Sequence, residues 1–212
     1  MFEILLITSA GAVILIFFGV VILFQKLGEV AKKPAQLFKV GEQASINRLL
    51  GALSTVNFPF ILELAVHHLG KEKNCYLAVS DRHKNQLLNL LKKKLPEIIL
   101  KEAEDYYVFH HDGKTVAFWA DSVNDEKLFD FDWQKIDFSE VNEVGEGAVA
   151  QVLFNFEKDK KPAELRLMAS APSSYQANEI LNLISRSFSQ VKFKTPKNIN
   201  SFIHKFTFRE SL

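Results

Sequence analysis

Two pairs of adjacent histidines, His67-His68 and His110-His111, and a single thiol, Cys75, are the residue types in this chain that could hold a metal ion. Zinc takes imidazole and thiolate ligands at about 2.0–2.3 Å in a tetrahedron. Each pair falls in an extended run, where neighbouring side chains point to opposite faces, so neither pair can chelate one ion from one face. A site would need one histidine of each pair to converge with Cys75 from separate strands, and no metal ligand set is assigned. Ser80-Asp81 with His83 supplies the types of a nucleophile, an acid and a base. The same residues open a leucine-spaced run and fit a helix cap and first turn, and no Gly-x-Ser-x-Gly elbow occurs. His110-His111-Asp112-Gly113-Lys114-Thr115 ends in Gly-Lys-Thr, the tail of a Walker A loop. Val108 stands where that loop's first glycine belongs, and Asp112-Gly113 between two apolar runs predicts a hairpin rather than a loop opening a helix. The expectation is a non-enzymatic chain with no catalytic residue, cofactor or metal.

Basic and aromatic residues interleave near the end, in Lys192-Phe-Lys-Thr-Pro-Lys and Phe202-Ile-His-Lys-Phe-Thr-Phe-Arg209. Such mixtures suit single-stranded nucleic acid, since rings stack on bases and cations track phosphates. An edge strand plus a polar connector accounts for them as well, and a formal net charge of +1 lacks the basic stripe of a dedicated nucleic-acid binder. The charge is split: Asp112 to Glu146 carries ten acidic residues against three basic, and Gly147 to Leu212 ten basic against five acidic. One cysteine permits no internal disulfide and fits a reducing compartment, with Cys75 a small buried apolar residue.

Several elements must position these residues. Glu42 to Val56 spaces Ala44, Ile46, Leu49, Leu50 and Leu53 as a helix does, ended by Asn57 and Pro59. Phe60 to His68 and Cys75 to Ser80 read as strands joined by a polar turn. A helix follows, with Leu87, Leu88, Leu91 and Leu95 as its stripe and lysines 92 to 94 at its negative end before Pro96. Ile98 to Ala103 reads as a strand, and Tyr106 to His111 with Lys114 to Ala120 as a hairpin. Beyond the acidic stretch come a helical piece at Phe138 to Val144 and strands at Ala148 to Phe156 and Glu164 to Ala171. A helix with the capping box Ser173-x-x-Gln176 and the stripe Ala177, Ile180, Leu181, Ile184 and Phe188 follows, then a short strand at Val191 to Phe193.

Before all of this, Ile4 to Phe24 run apolar, broken only by Thr8, Ser9, Gly11 and Gly19. At about 1.5 Å per residue the run spans a hydrocarbon core roughly 30 Å thick. Met1-Phe2-Glu3 lacks the basic segment of a cleaved signal peptide, so the run predicts a retained single-pass transmembrane anchor. No Lys or Arg precedes it, whereas Lys26, Lys32, Lys33, Lys39 and Arg48 follow, which predicts an outside N-terminus and a cytoplasmic body. The lysines of the stem would face anionic lipid head groups.

The predicted fold class is α+β: one N-terminal transmembrane helix, then two ferredoxin-like helix-ββ-α-β modules, each an antiparallel sheet with helices on one face. The expected boundaries are 1–25 for the anchor, 26–40 for a basic juxtamembrane stem, 41–121 for the first module, 122–136 for an acidic linker and 137–212 for the second module.

Five segments in order, Phe60-Ile-Leu-Glu-Leu-Ala-Val, Leu95 to Tyr106, Glu143 to Leu153, Leu167-Met-Ala-Ser-Ala-Pro172 and the residues around Asn200-Ser-Phe202, carry a resemblance. Over roughly Gly41 to Arg209 the chain resembles the membrane-anchored N-terminal region of proteins related to bacterial type IV secretion and conjugation ATPases. In that family such a region commonly precedes an ATP-binding motor that moves protein or DNA across the envelope. No complete Walker A motif occurs in residues 1–212, so the family's catalytic residues have no positions here. The resemblance implies a membrane-tethered scaffold or docking module in a bacterial cytoplasmic membrane, with the bilayer and a secretion-type ATPase or other membrane component as partners. A stand-alone membrane-anchored module for a ligand or peptide is the other expectation. Oligomeric state is left open, since Gly11 and Gly19 are not at the spacing of a close-packing dimer face.

Overall fold

Phe60–Val66 and Gly147–Phe154, FILELAV and GAVAQVLF, are buried along their whole length. An alternating strand has one wet face, whereas a continuously apolar strand must be covered on both. In the computed structural model, which describes residues 35–41, 46–67, 72–104, 106, 112–155 and 163–209, these two strands lie side by side in the middle of one sheet.

The strands are β1 (Gln36–Val40), β2 (Phe60–Val66), β3 (Lys73–Val79), β4 (Leu100–Glu102), β5 (Lys114–Val123), β6 (Gly147–Phe154) and β7 (Ala163–Ala171). The helices are α1 (Ile46–Leu53), α2 (Asp81–Lys94), α3 (Asp125–Phe129), α4 (Ser174–Arg186) and α5 (Ile199–Thr207), with a 3-10 turn at Trp133–Lys135. All pairings are antiparallel, in the order β4-β1-β3-β2-β6-β7-β5. One face packs on the leucines of α1 and α2, on Trp133 and on Ala177, Ile180, Leu181 and Ile184 of α4. The other face carries Leu37, Ile61, Ala65, Ala78, Ala117, Val149 and Met168, and meets Phe202 and Phe206 of α5.

A polar row crosses that second face beneath α5. Cross-strand register aligns Tyr76, Glu63, Gln151, Arg166 and Trp119 on five neighbouring strands, and Glu63, Gln151 and Arg166 are fully buried. Glu63 accepts from Tyr106 Oη at 2.6 Å, Gln151 Nε2 at 2.8 Å, Arg209 Nε at 2.9 Å and Arg209 Nη2 at 3.3 Å. Burial and the Glu63 carboxylate push the Tyr106 hydroxyl well above the usual phenol range. Gln151 and Arg166 also donate to Phe206 O and Lys205 O at the end of α5, carbonyls that a helix cannot satisfy itself. These polar contacts tie the end of α5 to the row, beside the apolar packing of Phe202 and Phe206.

The structure corrects several expectations. There are not two separate ferredoxin-like modules with helices on one face: β2 pairs with β6 over seven residues, so residues 35–212 form one compact unit built on a seven-stranded sheet covered on both sides. Gln36–Val40, assigned to the stem, is a strand between β3 and β4. The 122–136 segment holds the end of β5, α3 and the 3-10 turn rather than a free linker. Phe138 to Val144 forms turns instead of a helix. The membrane expectations are withdrawn. No helix among the described residues is long and apolar enough to cross a membrane, the run Ile4 to Phe24 lies outside those residues, and neither the single-pass anchor nor the cytoplasmic-membrane localisation gains support.

Candidate functional site

Among the described residues the sequence candidates do not converge. Cys75 lies in the helix-covered core, while His67 lies towards the opposite face, where its Nε2 is 3.3 Å from Tyr76 Oη and its ring stands edge-on to Tyr106. The two therefore sit on opposite sides of the sheet, and His68, His110 and His111 lie outside the described residues. Burial pushes the Cys75 thiol up to about 12. Ser80 occupies the N-cap of α2 without a side-chain capping bond, and the His83 ring stacks on Phe58 at 4.9 Å. Lys114 and Thr115 open strand β5 rather than a helix, and residues 107–111 before them lie outside the described residues.

The C-terminal basic and aromatic residues divide between two roles. Phe202 and Phe206 are buried under α5 and offer no face to a base. The α5 signal was present in the sequence: Ile199, Phe202, Ile203 and Phe206 fall at helical spacing, and Asn198 Oδ1 caps by accepting from Ser201 N at 3.0 Å. Lys192 and Lys194 instead line a groove of about 710 Å³.

That groove exists because two chain segments meet at one residue and then part. β5 is an edge strand, and its outer side pairs with the connector between α4 and α5 through Trp119 and Lys194, whose backbones exchange bonds of 2.9 and 2.8 Å. In the pairing of β5 with β7 the register shifts between Ala120 and Val123, and on the connector side Pro196, with no N–H to give, cannot extend the bridge. Between β5, α3 and the residues 187–194 the diverging backbones leave the opening.

Its floor is aromatic and aliphatic. Leu128 and Phe188 are buried, Phe131 stacks on Phe188 at 4.7 Å, and Phe188 meets Trp133 at 6.0 Å and Phe193 at 6.3 Å. Trp133 Nε1 donates to Leu128 O at 3.0 Å, which ties the floor to α3. Asn124 caps α3 by accepting from Glu126 N at 2.9 Å, and Asp137 N donates to Ser187 Oγ at 3.3 Å, holding the turn after α4.

The rim is charged. Lys194 Nζ bonds Asp121 Oδ1 at 2.8 Å and lies 5.0 Å from the Trp119 ring centroid; the bond from Lys194 holds the Asp121 carboxyl below the usual carboxylate range. Lys127 Nζ donates to the amide of Gln190 at 3.2 Å, joining α3 to the turn after α4. Lys192 and Asp130 complete the rim, and among the described residues neither has an ion-pair partner.

No family model matches this chain, and no curated protein matches it. The site is therefore read from its own geometry. It offers an apolar surface and mixed charge with lysines in excess. Its volume falls in the range of about 300–1,000 Å³ typical of ligand pockets.

Proposed function

We propose that residues 35–209 are a non-enzymatic recognition module that docks a segment of a protein partner in the groove beside β5. One observation carries the reading: the cleft between β5 and the connector has a buried aromatic floor and an exposed lysine rim. Interfaces draw their energy from such apolar pockets and their orientation from the charges around them. The resemblance to the N-terminal regions of type IV secretion and conjugation ATPase-related proteins supplies the setting, a secretion-type motor or another component of that machinery as the partner. The groove's volume also favours a second reading, a receptor for a free small ligand.

Site-specific photo-crosslinking separates the two. A photoreactive residue in place of Lys192 should crosslink a motor ATPase in the source cells, and Val191→Arg, which fills the groove from its connector wall, should abolish that product while the domain stays folded. Identical crosslinks with and without Val191→Arg refute docking in the groove. Crosslinks to no protein, with a small molecule retained on the purified chain, favour the receptor.

A further inference from the structure

We propose that the segment received by the groove is acidic and centred on one bulky apolar residue, its carboxylates meeting Lys127 and Lys192 while the apolar side chain lies on Phe131 and Phe188. This deepens the docking reading and rests on it. The charges are the first argument. Of the three lysines on the rim, Lys194 is committed to Asp121 at 2.8 Å. Lys127 spends its charge on the neutral amide of Gln190 at 3.2 Å, and among the described residues Lys192 has no ion-pair partner. A carboxylate adds to the bond from an ammonium a Coulomb attraction that a neutral amide does not supply. An incoming carboxylate therefore displaces Gln190 with a net gain and frees the bridge that joins α3 to the turn after α4. Asp130 stands on the same rim and repels a second acid placed beside it, so the carboxylates belong where Lys127 Nζ reaches over to Gln190 and at Lys192.

The floor is the second argument. The Phe131 and Phe188 rings stack at 22° between planes, with Trp133 and Phe193 packed edge-on around Phe188. Rings held this way keep their conformation on binding, and an apolar side chain laid on them loses water at little ordering cost. A basic segment would gain the same floor but would meet Lys127, Lys192 and Lys194 with only Asp121 and Asp130 to offset them.

The experiment uses the full chain and a set of fluorescein-labelled seven-residue peptides with Phe, Trp, Leu or Ala at the centre and Glu, Gln or Lys on both flanks, read by anisotropy. Glu-flanked peptides with an aromatic centre should bind about tenfold or more tighter than their Lys-flanked counterparts, and binding should weaken as salt rises. In the exposed double variant Lys127→Glu/Lys192→Glu the preference should invert, with thermal unfolding unchanged to show that the domain is intact. Equal affinity for Glu and Lys flanks, or an unchanged preference in the double variant, overturns this inference and leaves docking standing. Absence of binding by every peptide overturns the inference too, and together with crosslinks unaffected by Val191→Arg it removes the docking reading as well.

Discussion

Replacing Arg209 with Met tests whether the polar row fixes α5. Arg209 is the cation that faces the fully buried Glu63, through bonds of 2.9 and 3.3 Å. Met keeps most of the stem's packing over Tyr106, which the guanidinium overlies at 6.0 Å, so the change isolates the charge. Two charge-assisted bonds disappear, each worth about 1.5–3 kcal/mol, and Tyr106 and Gln151 remain as neutral donors to a buried carboxylate. Breaking one side of a buried pair costs about 3–5 kcal/mol, a large share of the roughly 5–15 kcal/mol that holds a domain together. Urea denaturation should show a lower midpoint at unchanged slope. The partner variant is decisive: Glu63→Gln added to Arg209→Met removes the stranded charge and should restore most of the loss, because Gln still accepts from Tyr106. A loss below about 1 kcal/mol in Arg209→Met, or a double variant no better than the single, refutes the assignment of that cost to an unpaired buried charge.

Three further outcomes follow from the same contacts. Trp133→Phe leaves the buried Leu128 carbonyl without its donor and should cost about 1–3 kcal/mol by denaturation, loosening the groove floor. Asn198→Ala removes the cap of α5 and should cost about 1 kcal/mol, seen as faster amide exchange in that helix. Cys75, with its thiol raised from 9.0 to about 12, favours the folded state in its neutral form; that stability is complete below pH 9 and is lost as pH climbs towards 12. Stability measured from pH 8 to 11 should fall, Cys75→Ala should flatten the part of the fall that begins near pH 9, and the native thiol should resist disulfide-exchange reagents at pH 8.

Local signals carried the elements whose faces are simple. Ser173 caps α4, its Oγ accepting from Gln176 N at 3.2 Å and donating to Gln176 Oε1 at 2.7 Å, and the stripe Ala177, Ile180, Leu181 and Ile184 is buried as periodicity required. Leu87 and Leu91 of α2 behave alike. β1 escaped notice because five residues that include Lys39, behind a lysine-rich stretch, give too short an alternation to read. α5 escaped because Lys and Phe interleaving suggested a strand, although its apolar spacing was helical. The joining of the halves was illegible for a different reason: whether an apolar strand pairs with a neighbour far along the chain is decided by tertiary packing. Continuous burial in FILELAV and GAVAQVLF was the visible hint, since a one-faced sheet needs no such run. The groove draws on residues 120–131 and 187–194, and no pattern within either segment tells how far the other stands from it.

The seam between β2 and β6 also has a cost during synthesis. β2 leaves the ribosome about 90 residues before β6 is complete, an interval of roughly 5–20 s at about 5–20 residues per second. Throughout that wait an apolar strand stands with one side open to any passing chain. Glu63, at its midpoint, is then open to water, a gatekeeper against association with other nascent chains. The same carboxylate that later clasps the C-terminal helix thus guards the half-made protein first.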